Sequence, residues 1–277
     1  IQRLKRNYNS KQFAKIASLP RADRDYVLRR VIANDDLRSP LLPNPFPATY
    51  AECALKRSSI YSPNLRSALS LAGSILRGYR ECVSMIYEQV DRFYEQVATH
   101  DLQDAMHTLA NVQASFGVSL WLVEATLLVG ELSDGVEGNR EFLSSIYEQK
   151  PAQRVALIST FKSQRVEREL PASSYCGYVN GFIQDVRNSS NDVPEQELAE
   201  VLYNLNFHSK EVPDHLPFIL DHARAYSLLD TALAFRTLVP FYAVDSRGEE
   251  TSSQKASVID DAEEFLGAEK SSLLRYW

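Results

Sequence analysis

From Leu65 to Val97 this chain carries an apolar or aromatic residue at every third or fourth position. Leu65, Leu69, Ala72, Leu76, Tyr79, Val83, Ile86, Val90, Phe93 and Val97 follow spacings of four and three without a break. That is the stripe of one helix face, and it cannot sit on a strand, whose faces alternate every second residue. Ser62 and Pro63 stand where an N-cap and a first helical residue belong. The predicted helix runs from there to about residue 98, a length of roughly 54 Å at 1.5 Å per residue. Gly73 and Gly78 inside it each cost about 1 kcal/mol relative to Ala, so tertiary packing along the stripe has to hold it.

A second stripe follows: Leu102, Ala105, Leu109, Val112, Phe116, Leu120, Val123 and Leu127. Two helices joined by a turn at Thr99-His100-Asp101 lie antiparallel and bury their stripes against each other. Shorter helices are expected at 2–18, 22–33, 48–58, 139–150, 152–169, 174–187, 195–206, 218–237 and 256–275. The expected fold is therefore all-α: a long antiparallel helical hairpin packed with several shorter helices, as an irregular bundle or array. Only 10 of the 277 residues are glycine, about half the usual share of roughly 7%. This disfavours turn-rich β folds and glycine-rich phosphate loops.

Four regions are expected. Residues 1–38 are a basic helical segment. Residues 39–47, SPLLPNPFP, hold four prolines and read as a stiff connector. Residues 48–187 hold the bundle with its hairpin, and residues 188–277 an acidic helical region. Charge is unevenly placed along the chain. Residues 1–92 carry 16 basic and 8 acidic groups; the whole chain being −6, the remainder carries −14. A basic end suits an acidic partner or the acidic half of the same molecule. Arg3, Lys5, Arg6, Lys11 and Lys15 are its candidate binding residues.

Chemistry-bearing patterns are sparse. Cys53, Cys82 and Cys176 are widely spaced, which gives neither a disulfide framework nor a zinc ribbon and suits reduced thiols in the cytoplasm. The longest apolar run, from Phe116 to Gly130, is shorter than the roughly 20 residues of a bilayer span, so a membrane partner is not expected. The five histidines fall at seven-residue offsets, His100 and His107, then His208, His215 and His222. Such offsets separate side chains by about 10.5 Å along a helix, too far to share an ion. Asp214-His215 and Asp221-His222 read as solvated or capping pairs. No metal site and no cofactor are expected. His100, Asp104 and His107 are the one local set at helical spacing, and they are the candidate catalytic residues at the hairpin tip. His100-Asp101 is the dipeptide of the HD phosphohydrolases, but their pattern needs an earlier histidine and none precedes residue 100. Helical ribonucleases of the HEPN type place four to six residues between Arg and His, whereas seven separate Arg92 from His100.

Glu124 is a further candidate. It interrupts the apolar run FGVSLWLVEATLLVG, where an unpaired charge would cost several kcal/mol. It is expected either to pair with an arginine of another helix, Arg77 or Arg80, or to serve as a catalytic carboxylate of raised pKa. The function these patterns favour is a non-enzymatic scaffold or adaptor that binds another protein or a second copy through helix faces. Trp121 and the tyrosines Tyr79, Tyr87 and Tyr94 are its candidate anchors. The alternative is an RNA-directed nuclease or toxin-like effector using the His/Asp set, with the basic segment holding phosphate.

Overall fold

The computed structural model describes residues 14–53, 62, 64–167, 171–189, 195–205 and 212–245. The protein is all-α, and no strand occurs among the described residues. Arg3, Lys5, Arg6 and Lys11, most of the expected helix at 2–18, and the expected helix at 256–275 lie outside them.

Residues 14–17 are helical, and two helices follow, α1 (Arg21–Ile32) and α2 (Asp35–Leu41). Asn34 starts α2, its side chain accepting the Leu37 N–H at 3.2 Å. Because α2 takes in Ser39, Pro40 and Leu41, the extended proline-rich stretch begins at Leu42 rather than at residue 39. Residues 48–53 form turns rather than the start of a helix.

The stripe from Leu65 to Val97 is buried as its spacing requires: Leu69, Ala72, Leu76, Val83, Ile86, Val90 and Phe93 are all inside. It is carried by two helices, however, α3 (Leu65–Gly78) and α4 (Arg80–Ala98). A Cβ on Gly78 would stand 2.2 Å from the Ile32 side chain, so α1 presses against the chain there. At the next residue, Tyr79, the backbone turns out of helical geometry (φ −113°, ψ 27°). The N-cap of α3 is Asn64, which accepts the Ser67 N–H at 2.9 Å, and not Ser62.

The second stripe is divided in the same way, into α5 (Leu102–Phe116) and α6 (Leu120–Ser133). Gly117 sits at φ 72°, ψ −162°, a region essentially reserved for glycine. Ser119 then restarts the helix, its hydroxyl accepting the Leu122 N–H at 2.9 Å. The hairpin that does form is the shorter pair α4 and α5, turning at residues 99–101.

Then come α7 (Gly135–Glu148), α8 (Gln153–Glu167), α9 (Ala172–Ser189), α10 (Glu195–Leu205), a 3-10 turn (Pro213–His215), α11 (Leu216–Tyr226) and α12 (Leu228–Asp245). The expected single helix over 218–237 is thus two. Ser227 is extended and caps α12, its hydroxyl accepting the Asp230 N–H at 2.9 Å. One large apolar core draws on α3 to α12. A second, small cluster joins Leu28, Val31 and Leu42 to Leu71 and Ile75 of α3.

The proline-rich connector locks both helix restarts. Pro45 and Pro47 are buried. The Pro47 carbonyl accepts the Val118 N–H at 2.8 Å, just ahead of α6, and the Pro45 carbonyl accepts the Leu228 N–H at 2.8 Å, at the start of α12. Both N–H groups lie at helix starts, where no intrahelical carbonyl is available.

Candidate functional site

One deeply buried set of ionisable side chains is centred on Glu200. α10 buries Leu198, Ala199, Val201, Leu202 and Leu205, and Glu200 goes under with them, at 1% exposure. Three donors meet it. Arg154 of α8 places Nη1 2.5 Å from Glu200 Oε2. His222 of α11 places Nδ1 2.9 Å from the same oxygen. Tyr226, one turn further along α11, donates its hydroxyl to Oε1. The spacing of four puts His222 and Tyr226 on one helix face. Phe218, one turn before His222, lies with its ring centroid 3.9 Å from the imidazole. Burial opposes the charge on Glu200, but the His222 hydrogen bond and the Arg154 guanidinium outweigh it and hold the carboxyl below its usual range. Burial, together with the Glu200 charge, pushes the Tyr226 phenol well up. With its proton on Nδ1, His222 donates to a carboxylate that Arg154 already neutralises. The four side chains tie α8, α10 and α11 together.

Two further carboxylates lie on α11 and α12, Asp221 buried and Asp230 half-buried. Asp221 pairs with Arg224 at 2.6 Å and accepts the Ser62 N–H at 2.6 Å and the Ser62 hydroxyl at 3.2 Å. Ser62 is therefore a donor to α11, which is why it is not the cap of α3. Asp230 reaches the N-terminus of α6, accepting the Leu120 and Trp121 N–H groups at 3.1 Å each and the Ser227 hydroxyl at 2.8 Å. Burial pushes its carboxyl up to about 6 despite these donors.

A fourth set joins α1 to α3. Arg77 grips Asp25 through both oxygens, at 2.9 and 3.0 Å, and Arg24 donates to Ser74 Oγ at 2.8 Å and to Ser70 Oγ at 2.6 Å. Burial works against ionisation of Asp25, yet Arg77 and Ser74 bring its carboxyl below the usual range.

The residues singled out in the sequence fall elsewhere. His100, Asp104 and His107 are exposed. His100 occupies the left-handed position that ends α4, at φ 59°, with its N–H on the Val97 carbonyl and that of Asp101 on the Gln96 carbonyl. This is the Schellman arrangement, in which glycine is the usual occupant. Lys15 is exposed. Glu124 is half-exposed and pairs with Lys162, not with Arg77 or Arg80. Partial burial acts against its charge, but Lys162, helped by Arg165, holds its carboxyl below the ordinary range rather than above it. His222 is buried, not solvated. Of the candidate anchors, Tyr87 and Trp121 are buried, Tyr79 is partly buried and Tyr94 is 48% exposed. The Tyr94 hydroxyl accepts the Trp121 indole N–H at 3.1 Å. No group of three or more His, Cys, Asp or Glu side chains among the described residues is arranged to hold a metal ion. No described helix is long and apolar enough to cross a membrane.

Compared with protein-family models, with curated proteins and with solved structures, the chain matches none.

Proposed function

We propose that this chain is a non-enzymatic helical scaffold or adaptor, acting through protein–protein interaction or self-association on its helix faces. The observation that carries the reading is Tyr94. Its ring lies 5.3 Å from that of Phe93, edge to face, and its hydroxyl is fixed by Trp121, yet 48% of it remains exposed. A large aromatic side chain already immobilised on a rigid helix loses little entropy on binding, which is the character of an interface anchor. Met106, 44% exposed on α5, adds an adaptable apolar side chain on the same helical pair. The inward-facing carboxylates support the reading from the other side: Glu200 and Asp230 each join one helix to another, and Asp221 ties Ser62 to α11.

Sedimentation velocity over a range of concentrations, with affinity capture from the native source, tests it. The wild-type protein is expected to self-associate or to retain a specific partner. Tyr94→Lys is expected to weaken retention of a partner protein at least about tenfold, the loss of roughly 1.4 kcal/mol of anchor energy, without altering the fold. A chain that neither self-associates nor holds a partner ends the reading, and a partner held equally well by Tyr94→Lys removes Tyr94 as its anchor.

A further inference from the structure

α3 is buried on two sides. Ala68, Leu69, Ala72 and Leu76 face the large core, whereas Leu71 and Ile75 belong to the small cluster with Leu28, Val31 and Leu42. The two clusters share no buried residue. Among the described residues, the main contacts of α1 run only to α3 and α2. The pair α1–α2 thus covers one face of one helix and takes no part in the large core.

That covered face has a demanding chemistry. It presents Leu71 and Ile75 in a row, the Ser70 and Ser74 hydroxyls, and the Arg77 guanidinium, whose side chain is 6% exposed. Any cover has to bring apolar side chains one turn apart, a guanidinium for the serines, and a carboxylate in register for Arg77. α1 supplies all of these as Leu28, Val31, Arg24 and Asp25. A second copy of the chain carries the same set by identity.

The connector sets where the pair can part from the body. Pro45 and Pro47 are anchored by their carbonyls to Leu228 and Val118, and the Phe46 N–H is held by Asn44 Oδ1 at 3.1 Å. Between this anchored stretch and α2 lie only Leu42, Pro43 and Asn44. A short, proline-stiffened hinge between an intact body and a separately packed helix pair is the connection through which identical elements exchange between protomers.

We propose that α1 and α2 form an exchangeable latch, and that the α3 face beneath them receives α1 and α2 of a second copy in a reciprocally exchanged dimer. This rests on the self-association branch of the scaffold reading, and it names the surface and the partner.

Two variants break opposite halves of the contact. Leu28→Asp spoils the latch and leaves the face intact; Ile75→Asp spoils the face and leaves the latch intact. Each alone is expected to sediment as a monomer. In each, α1 amides exchange at least about tenfold faster than in the wild type, while α6 and α11 keep native protection. An equimolar mixture is expected to give a heterodimer, in which the α1 amides of the Ile75→Asp chain recover protection on the α3 face of the Leu28→Asp chain. A mixture that stays monomeric overturns the exchange. So does loss of protection in α6 and α11 in either variant, because the pair would then be part of the main fold. Equal dimerisation of either variant alone also overturns it, by placing the contact elsewhere. A monomeric mixture beside a self-associating wild type removes the exchange and leaves the scaffold reading intact. A wild type without any partner removes the scaffold reading itself.

Discussion

Asp230 caps a helix to which it does not belong: from α12 its carboxylate accepts the Trp121 N–H at 3.1 Å, at the start of α6. With Leu120 N–H on its other oxygen, it satisfies two of the four N–H groups that open any helix. Asp230→Ala is expected to destabilise the protein by about 1–2 kcal/mol, the range of a lost helix cap, as measured by urea unfolding.

The same carboxyl gives a pH signature. Its folded pKa is raised to about 6 from 3.8. Between these values the folded chain holds a proton that the unfolded chain has released, so the group's contribution to stability is largest at low pH and is lost as pH rises through 6. Asp230→Asn should remove that slope. The stability difference between wild type and Asp230→Asn is expected to move against the wild type from pH 4.5 to pH 7; an unchanged difference would contradict it.

Glu200 has the opposite linkage. Its carboxyl is held below the ordinary range, so its contribution is present above the unfolded pKa and lost as pH falls through the folded one. Glu200→Ala leaves Arg154 and His222 without their shared acceptor. It is expected to cost about 3–5 kcal/mol, as for a buried pair deprived of one partner. Replacing Arg154, His222 and Glu200 together by apolar residues of similar size should cost less than Glu200→Ala alone, which thermal unfolding of both variants decides.

Gly117 and His100 form a matched pair of backbone tests. Both have positive φ, at 72° and 59°. A Cβ on Gly117 would stand 2.2 Å from the Pro47 carbonyl oxygen. Gly117→Ala therefore combines backbone strain with a clash, and a loss above about 3 kcal/mol is expected. His100→Gly relieves strain at an exposed helix end and is expected to raise stability by up to about 1 kcal/mol.

His107 tests the nuclease alternative. It is exposed on α5, so His107→Ala should change stability by less than about 0.5 kcal/mol. An RNA-cleaving activity in the wild type that disappears in His107→Ala would support that alternative over the scaffold. Absence of cleavage on structured and single-stranded RNA would close it.

Periodicity made most of the fold legible. The stripes placed the buried faces of α3 to α6, because burial of an apolar row obeys helical spacing whatever the tertiary detail. The divisions at Tyr79, Gly117 and Ser227 were less visible, since a stripe can stay in register across a one- or two-residue break. Two of them left local marks: Gly117 followed by Ser119, and Ser227 three residues before Asp230. The break at Tyr79 follows Gly78, where Ile32 of another helix leaves no room for a side chain, and only that glycine marks it in the sequence. For the buried carboxylates the reason is similar. Glu200 and Asp221 lie among apolar neighbours as any helix-edge charge does, and their partners Arg154 and Ser62 are remote in the chain. Glu124 stood out because its run is the most apolar, but it faces Lys162 near the surface. Apolarity of the neighbours in sequence is not burial of the side chain.

The two carbonyls of the connector impose an order on synthesis. Pro45 and Pro47 leave the ribosome before the N–H groups that close on them, those of Leu228 and Val118. A nascent chain stopped before residue 228 has no Leu228 N–H for the Pro45 carbonyl and lacks the share of the core that α12 supplies. The seam between the connector and α12 closes only with the last described helix. The contact that closes this seam thus joins residues far apart in the chain, the kind of closure that folding reaches slowly.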